Sequence, residues 1–105
     1  MNIIKRSGVE ETFDITKIIH AMTKANHEVP EVERMSTEEI RLAADRVADV
    51  CRQMERAANV EEIQDLVEDQ IMGMGKYNVA RKYITYRYTR AMVRKSNTTD
   101  DQILS

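Results

Sequence analysis

A chain of 105 residues with 42% apolar and 32% charged side chains has room for one domain around a single modest core. Its one cysteine, Cys51, excludes an internal disulfide and a zinc site built on several thiolates. No apolar run approaches the roughly 18 residues of a membrane span and no signal peptide is visible, so a cytoplasmic protein with no membrane partner is expected.

The net charge is only −2, yet its distribution is uneven. Residues 1–75 hold 9 Lys/Arg against 16 Asp/Glu, whereas residues 76–95 hold 7 Lys/Arg and no acid. One cationic helix on an acidic domain predicts a localised anion-binding or docking face, unless that helix simply pairs with its acidic neighbours.

In chain order, residues 2–6 and 11–13 read as two short strands joined by the Ser7-Gly8 turn. This puts Lys5 and Arg6 at a hairpin tip beside a helix N-terminus, a place suited to an anionic ligand as well as to two solvated cations. Asp14 caps a first helix whose apolar positions Ile15, Ile18, Ile19, Met22 and Ala25 keep the 3–4 spacing, ending near Asn26. An acidic, proline-containing link, Glu28–Arg34, follows.

Ser36-Thr37-Glu38-Glu39 is a capping box for a second, long helix that buries Ile40, Ala43, Ala44, Val47, Val50, Cys51 and Met54. Cys51 at such a spacing is a buried, inert thiol. Asn59-Val60-Glu61-Glu62 repeats the capping logic for a third helix with Ile63, Leu66, Val67, Ile71 and Met74 inward, stopped by Gly75 in the left-handed conformation. A fourth helix is expected from about Asn78 to Lys95, burying Val79, Ala80, Tyr83, Ile84 and one of Met92 and Val93. The polar tail Ser96–Ser105 reads as a linker, and the chain as a fragment of a longer protein. The fold class is therefore α+β, mainly α: a four-helix bundle capped by a small N-terminal hairpin or sheet.

A nucleoside triphosphate carries close to four negative charges and needs several converging cations. Lys5, Arg6, Lys17, Arg81, Lys82 and Arg87 are the candidates, arginine as a bidentate fork and lysine as a point charge. Tyr86 shares a helix face with Lys82 at i, i+4. Glu11 and Asp14 can accept from ribose hydroxyls or a base amino group, although capping competes for Asp14. His20 and His27 lack partners at metal spacing and read as ordinary surface or boundary residues. There is no nucleophile beside a base, and Gly73-Met74-Gly75 is too short for a phosphate loop. The chain is built to bind and carries no catalytic set. A nucleic-acid-binding module or a helical adaptor using the basic last helix is the competing class, and the acidic remainder weighs against nucleic acid.

Three segments resemble one family. Ile4-Lys5-Arg6-Ser7-Gly8, with Glu11, Phe13-Asp14 and Lys17-Ile18, is similar to the opening of the ATP-cone domain. Val60 to Glu68 resembles its third-helix signature, and Tyr77 to Arg87 its closing motif. The resemblance implies residues 1–95 as an ATP-cone and residues 96–105 as a linker toward a catalytic domain. It further implies a regulatory module that binds ATP or dATP, with Mg²⁺ as an open companion, and sets the overall activity of a ribonucleotide reductase through subunit arrangement in a homo-oligomer. Carried over by position, Lys5, Arg6, Lys17 and the basic residues of the last helix would hold phosphates, and Glu11, Asp14 and Ile18 would lie near sugar and base. Val60 and Gln64 would approach from the third helix, where some relatives carry threonine and histidine. Arg94 to Asp101 resembles the segment that follows the cone in anaerobic, glycyl-radical ribonucleoside triphosphate reductases.

Overall fold

The structure, a computed structural model, describes residues 1–5 and 7–104. Strands β1 (Asn2–Ile4) and β2 (Glu10–Thr12) form an antiparallel hairpin in which Ile3 faces Glu11. β1 is shorter than the sequence suggests and β2 begins one residue earlier, because the Lys5 N–H already donates to Val9 C=O at 2.9 Å and closes the turn. Gly8, at φ +88°, supplies the left-handed step that this closure needs. A third strand, β3 (Ala58–Asn59), pairs parallel to β1 with Ile3 beside Ala58, giving the order β2-β1-β3.

Helix α1 (Ile15–His27) begins where Asp14 accepts from the Thr16 N–H at 3.0 Å, and it buries Ile18, Met22, Ala25 and Asn26. Its end is fixed to the next element by Asn26, whose amide donates to Met35 C=O and accepts from Met35 N–H. Arg34 adds a bond to Val29 C=O at 3.0 Å across the link, which contains a single 3₁₀ turn at Glu31–Glu33. Helix α2 (Thr37–Gln53) starts with the Ser36/Glu39 capping box and buries Ile40, Ala43, Ala44, Val47, Ala48 and Cys51. Val50 lies outside that stripe, 37% exposed, and Met54 is half-buried against it. Burial raises the Cys51 thiol pKa, with the Glu62 charge adding to it.

Helix α3 (Val60–Gly73) follows β3 directly through the Asn59/Glu62 capping box, and Gly75 at φ +76° ends it. Glu62 also takes a two-pronged ion pair from Arg56 at 2.7 and 2.6 Å, which with the Asn59 N–H lowers its pKa to about 2. Helix α4 (Tyr77–Leu104) buries Val79, Ala80 and Tyr83. Ile84, expected inward, is 39% exposed, because the inward positions of the next turn go to Tyr86 and Arg87; Met92 is also exposed. The Val93 side chain and residue Ser105 lie outside the described residues. The helix does not stop near Lys95: no glycine or proline follows Gly75, so nothing in the chain breaks it.

α1 packs against α2 and α4, and α3 against the same two, closing a four-helix bundle with the sheet over one end. Among the described residues no helix is long and apolar enough to cross a membrane, and no group of three His, Cys, Asp or Glu side chains is placed to hold a metal.

Candidate nucleotide site

Side chains alternate along extended backbone, so Ile3 on β1 and Lys5 just past its end both line one cavity. Glu11 lies opposite Ile3, and Phe13 continues on the same face of the returning chain. That face closes the top of this cavity, about 690 Å³ in volume. The first two turns of α1 form one wall, with Asp14, Lys17, Ile18 and Ala21 at helical spacing. α3 adds Val60, Ile63 and Gln64 from its own first turns, and α4 adds Tyr83, Tyr86 and Arg87. The hairpin, which begins the chain, and the last helix therefore share one cavity.

Within it the charges are paired. Glu11 sits between two cations, 3.7 Å from the Lys5 ammonium and 3.6 Å from that of Lys17. Asp14 both caps α1 and lines the cavity. Its pKa is lowered by the Thr16 hydroxyl, then by the Thr16 N–H, with Lys17 contributing less. Arg87, only 18% exposed, bonds three α3 carboxylates: Glu61 at 2.9 Å, Asp65 at 2.9 Å, and Glu68. Burial works against the Arg87 charge, but the bonds to Glu68 and Asp65 outweigh it and raise the guanidinium pKa. Burial likewise pushes the Tyr83 phenol well above its usual range.

Of the residues singled out from sequence, Lys5, Glu11, Asp14, Lys17, Ile18, Val60, Gln64, Tyr86 and Arg87 line this cavity. Two do not. Lys82 faces an adjoining groove of about 580 Å³ between α1 and α4, with Thr23, Lys24, His27 and Thr85. Arg81 is turned away to a separate depression beside Pro30, Glu33 and Asn78. Each residue step rotates the direction by about 100°, and Tyr83, Tyr86 and Arg87 take the cavity-facing phase of α4. Arg6 lies outside the described residues.

Ile3, Phe13, Ile63 and Tyr83 were legible only as strand or core residues. His20, read as a surface or boundary residue, lines both cavity and groove together with Tyr86. Its position three residues after Lys17 on the same helix face was the available signal. Lys24, one turn further, lies over the Tyr86 ring at 5.7 Å from its centroid.

A mainly helical domain with a ligand-sized cavity under a small sheet, built from strand, helix N-termini and a basic helix, has the geometry to receive a small ligand. The profile of the ATP cone domain matches residues 1–92, and the chain belongs to the ATP-cone family, a family of nucleotide-binding regulatory domains. It is 35% identical over 108 residues to the ribonucleoside-diphosphate reductase subunit alpha of Chlamydia trachomatis, covering 95% of this chain and 10% of that protein. To the protein of the same name from Chlamydia pneumoniae it is 37% identical over 106 residues, with 95% and 10% covered. It is 30% identical over 93 residues to the anaerobic ribonucleoside-triphosphate reductase of Haemophilus influenzae, with 89% and 13% covered. The chain thus spans about a tenth of the length of these relatives.

Proposed function

We propose that this domain binds ATP or dATP as an allosteric effector and sets the overall activity of a ribonucleotide reductase by changing how subunits are arranged. The observation that carries the reading is the single cavity shared by the N-terminal hairpin, the first turns of α1 and α3, and α4. Its apolar lining of Ile3, Ile18, Ile63 and Tyr83 suits a base, and its rim of Lys5 and Lys17 suits phosphates. Relatives named as reductase subunits of both the diphosphate and the anaerobic triphosphate kind support the reductase setting without choosing between them.

In this reading Glu11, Asp14 and Gln64 address sugar and base, while Lys5, Lys17 and Arg6 hold phosphates. Lys82 and Lys24 extend the cationic path along the groove beyond His20, where among the described residues neither forms an ion pair. The phosphate charge makes Mg²⁺ a natural companion. Residues 96–105 would lead toward the catalytic part of a cytoplasmic parent chain. ATP and dATP differ only at the 2′ position, so opposite outputs require each to favour a different arrangement of the domain against its partner.

Titration calorimetry of the 105-residue chain with ATP and dATP tests this. Saturable binding of both is expected, and Lys5→Ala or Lys17→Ala weakens it by about 1–3 kcal/mol, the range for a charge-assisted contact. No heat at near-millimolar nucleotide would refute the proposal, and unchanged affinity in both variants would remove the hairpin rim from the site.

A further inference from the structure

Arg87 lines the cavity, and from sequence it was a natural phosphate ligand. Its surroundings assign it differently. One guanidinium charge meets three carboxylates, Glu61, Asp65 and Glu68, spaced along one face of α3 at i, i+4 and i+7. Nη1 is shared by Asp65 and Glu68, and Nη2 is held by Glu61. The guanidinium is engaged by these carboxylates, so a phosphate would have to displace them to reach it. Drawing Arg87 away would leave Glu68, itself only 16% exposed, without its partner.

The same contacts do something else. α3 reaches the cavity with Val60, Ile63 and Gln64, which sit within one turn of the helix start and immediately after the two-residue strand β3. A strand that short holds the start of α3 weakly. The Arg87 bonds span Glu61 to Glu68, two turns that enclose Ile63 and Gln64 and adjoin Val60, and they fix this wall at a set distance from α4.

We infer that Arg87 is a positioning residue that locks the α3 wall of the nucleotide cavity against α4, and that it does not hold the polyphosphate. The inference rests on the nucleotide-binding reading above, and the experiment separates the two. ATP is titrated into the full chain at several salt concentrations, for wild type and for Arg87→Gln, Lys17→Ala, the charge swap Arg87→Glu/Glu68→Arg, and Val47→Ala. Val47→Ala is a core variant on α2, remote from the cavity, that controls for lost stability. A wild type that fails to bind ATP overturns the functional reading and, with it, this inference.

Given binding, Arg87→Gln weakens ATP by about tenfold, within the span of coupled neighbouring side chains. It alters the salt dependence of binding less than Lys17→Ala does, because a nearby charge is lost but no phosphate contact. Lys17→Ala flattens that slope. The swap recovers most of the lost affinity, since the α3–α4 tie is rebuilt with its charges exchanged, and Val47→Ala binds ATP as wild type does. The inference is overturned if Arg87→Gln flattens the slope as Lys17→Ala does, if it leaves ATP affinity unchanged, or if the swap binds no better than Arg87→Gln. Should Arg87→Gln fail to fold, the swap carries the test alone: near wild-type binding sustains the positioning role, and loss of binding in a folded swap variant ends it.

Discussion

Asn26 offers the sharpest test of how the cavity wall on α1 is held. Its side chain is 7% exposed and bridges one residue twice, donating from Nδ2 to Met35 C=O at 3.0 Å and accepting at Oδ1 from Met35 N–H at 2.7 Å. Met35 is itself 3% exposed. Asn26→Ala therefore leaves one backbone donor and one acceptor unpaired where water has little access. Each such loss costs about 1–3 kcal/mol, and partial relaxation leaves a total near 3 kcal/mol. For a domain of this size, a loss of that size lowers the melting temperature by roughly 10–20 °C. Urea denaturation followed by circular dichroism reads the free energy directly, and an unchanged m-value shows that only stability moved. Asn26→Asp is the companion: it keeps the acceptor for the N–H but turns a second oxygen toward Met35 C=O, so it too destabilises at neutral pH and recovers partly when protonated. A loss below about 1 kcal/mol for Asn26→Ala would show that the two bonds are not what joins α1 to α2.

The pH dependence of stability carries a second expectation. The Glu62 pKa is depressed to about 2 from an ordinary 4.5, first by the Arg56 hydrogen bonds and then by the Asn59 N–H. A depressed folded-state pKa means that the stabilisation is complete above about 4.5 and is lost as pH falls toward 2. Glu62→Gln should thus melt below wild type at pH 7, with the gap closing by pH 2; a gap that widens on acidification reverses the assignment. Glycine positions supply a third. Gly75, at φ +76°, has nothing within 4 Å of an added Cβ, so Gly75→Ala costs only its backbone conformation, about 1 kcal/mol. Gly73→Ala, at the helical end of α3 and equally unobstructed, is neutral or stabilising by a few tenths of a kcal/mol, and thermal melts that rank the two the other way would refute the left-handed stop.

The features legible in the sequence are those encoded within a few neighbouring residues. The Asp14 cap, the Ser36/Glu39 and Asn59/Glu62 boxes, the Gly75 stop and the buried stripes all depend on short-range spacing, and they stand where that spacing puts them except at Val50 and Ile84, which are exposed. β3 was not legible: two residues carry no periodicity, and their partner is a strand far away in sequence. The same reason separates Arg81 from Arg87. Charge and composition treat the cations of α4 alike, while only the packed phase of the helix decides which of them meets the cavity. The acidic run of α3 was visible, with five acids and no base between Val60 and Gly73, but its pairing with Arg87 required knowing which helices adjoin.

Those pairings bear on where the anion goes. Both α1 and α3 turn their N-termini toward the cavity, and a helix N-terminus presents unpaired N–H groups and a partial positive charge. The two ends are not equivalent. The first turn of α3 carries Glu61 and Glu62, whereas α1 has its cap Asp14 and, within the first turn, Lys17 and no further acid. Lys17 and Lys5 share one carboxylate between them, whereas Arg87 faces three on the α3 side. Side-chain charge and backbone dipole thus favour the same edge of the cavity, the one bounded by α1 and the hairpin. The α3 edge, with its own dipole offset by its acids, supports a polyphosphate poorly and suits the uncharged part of a nucleotide. That division follows from where the lysines and the acids lie, and it is why Lys17→Ala and Arg87→Gln are expected to differ in their response to salt.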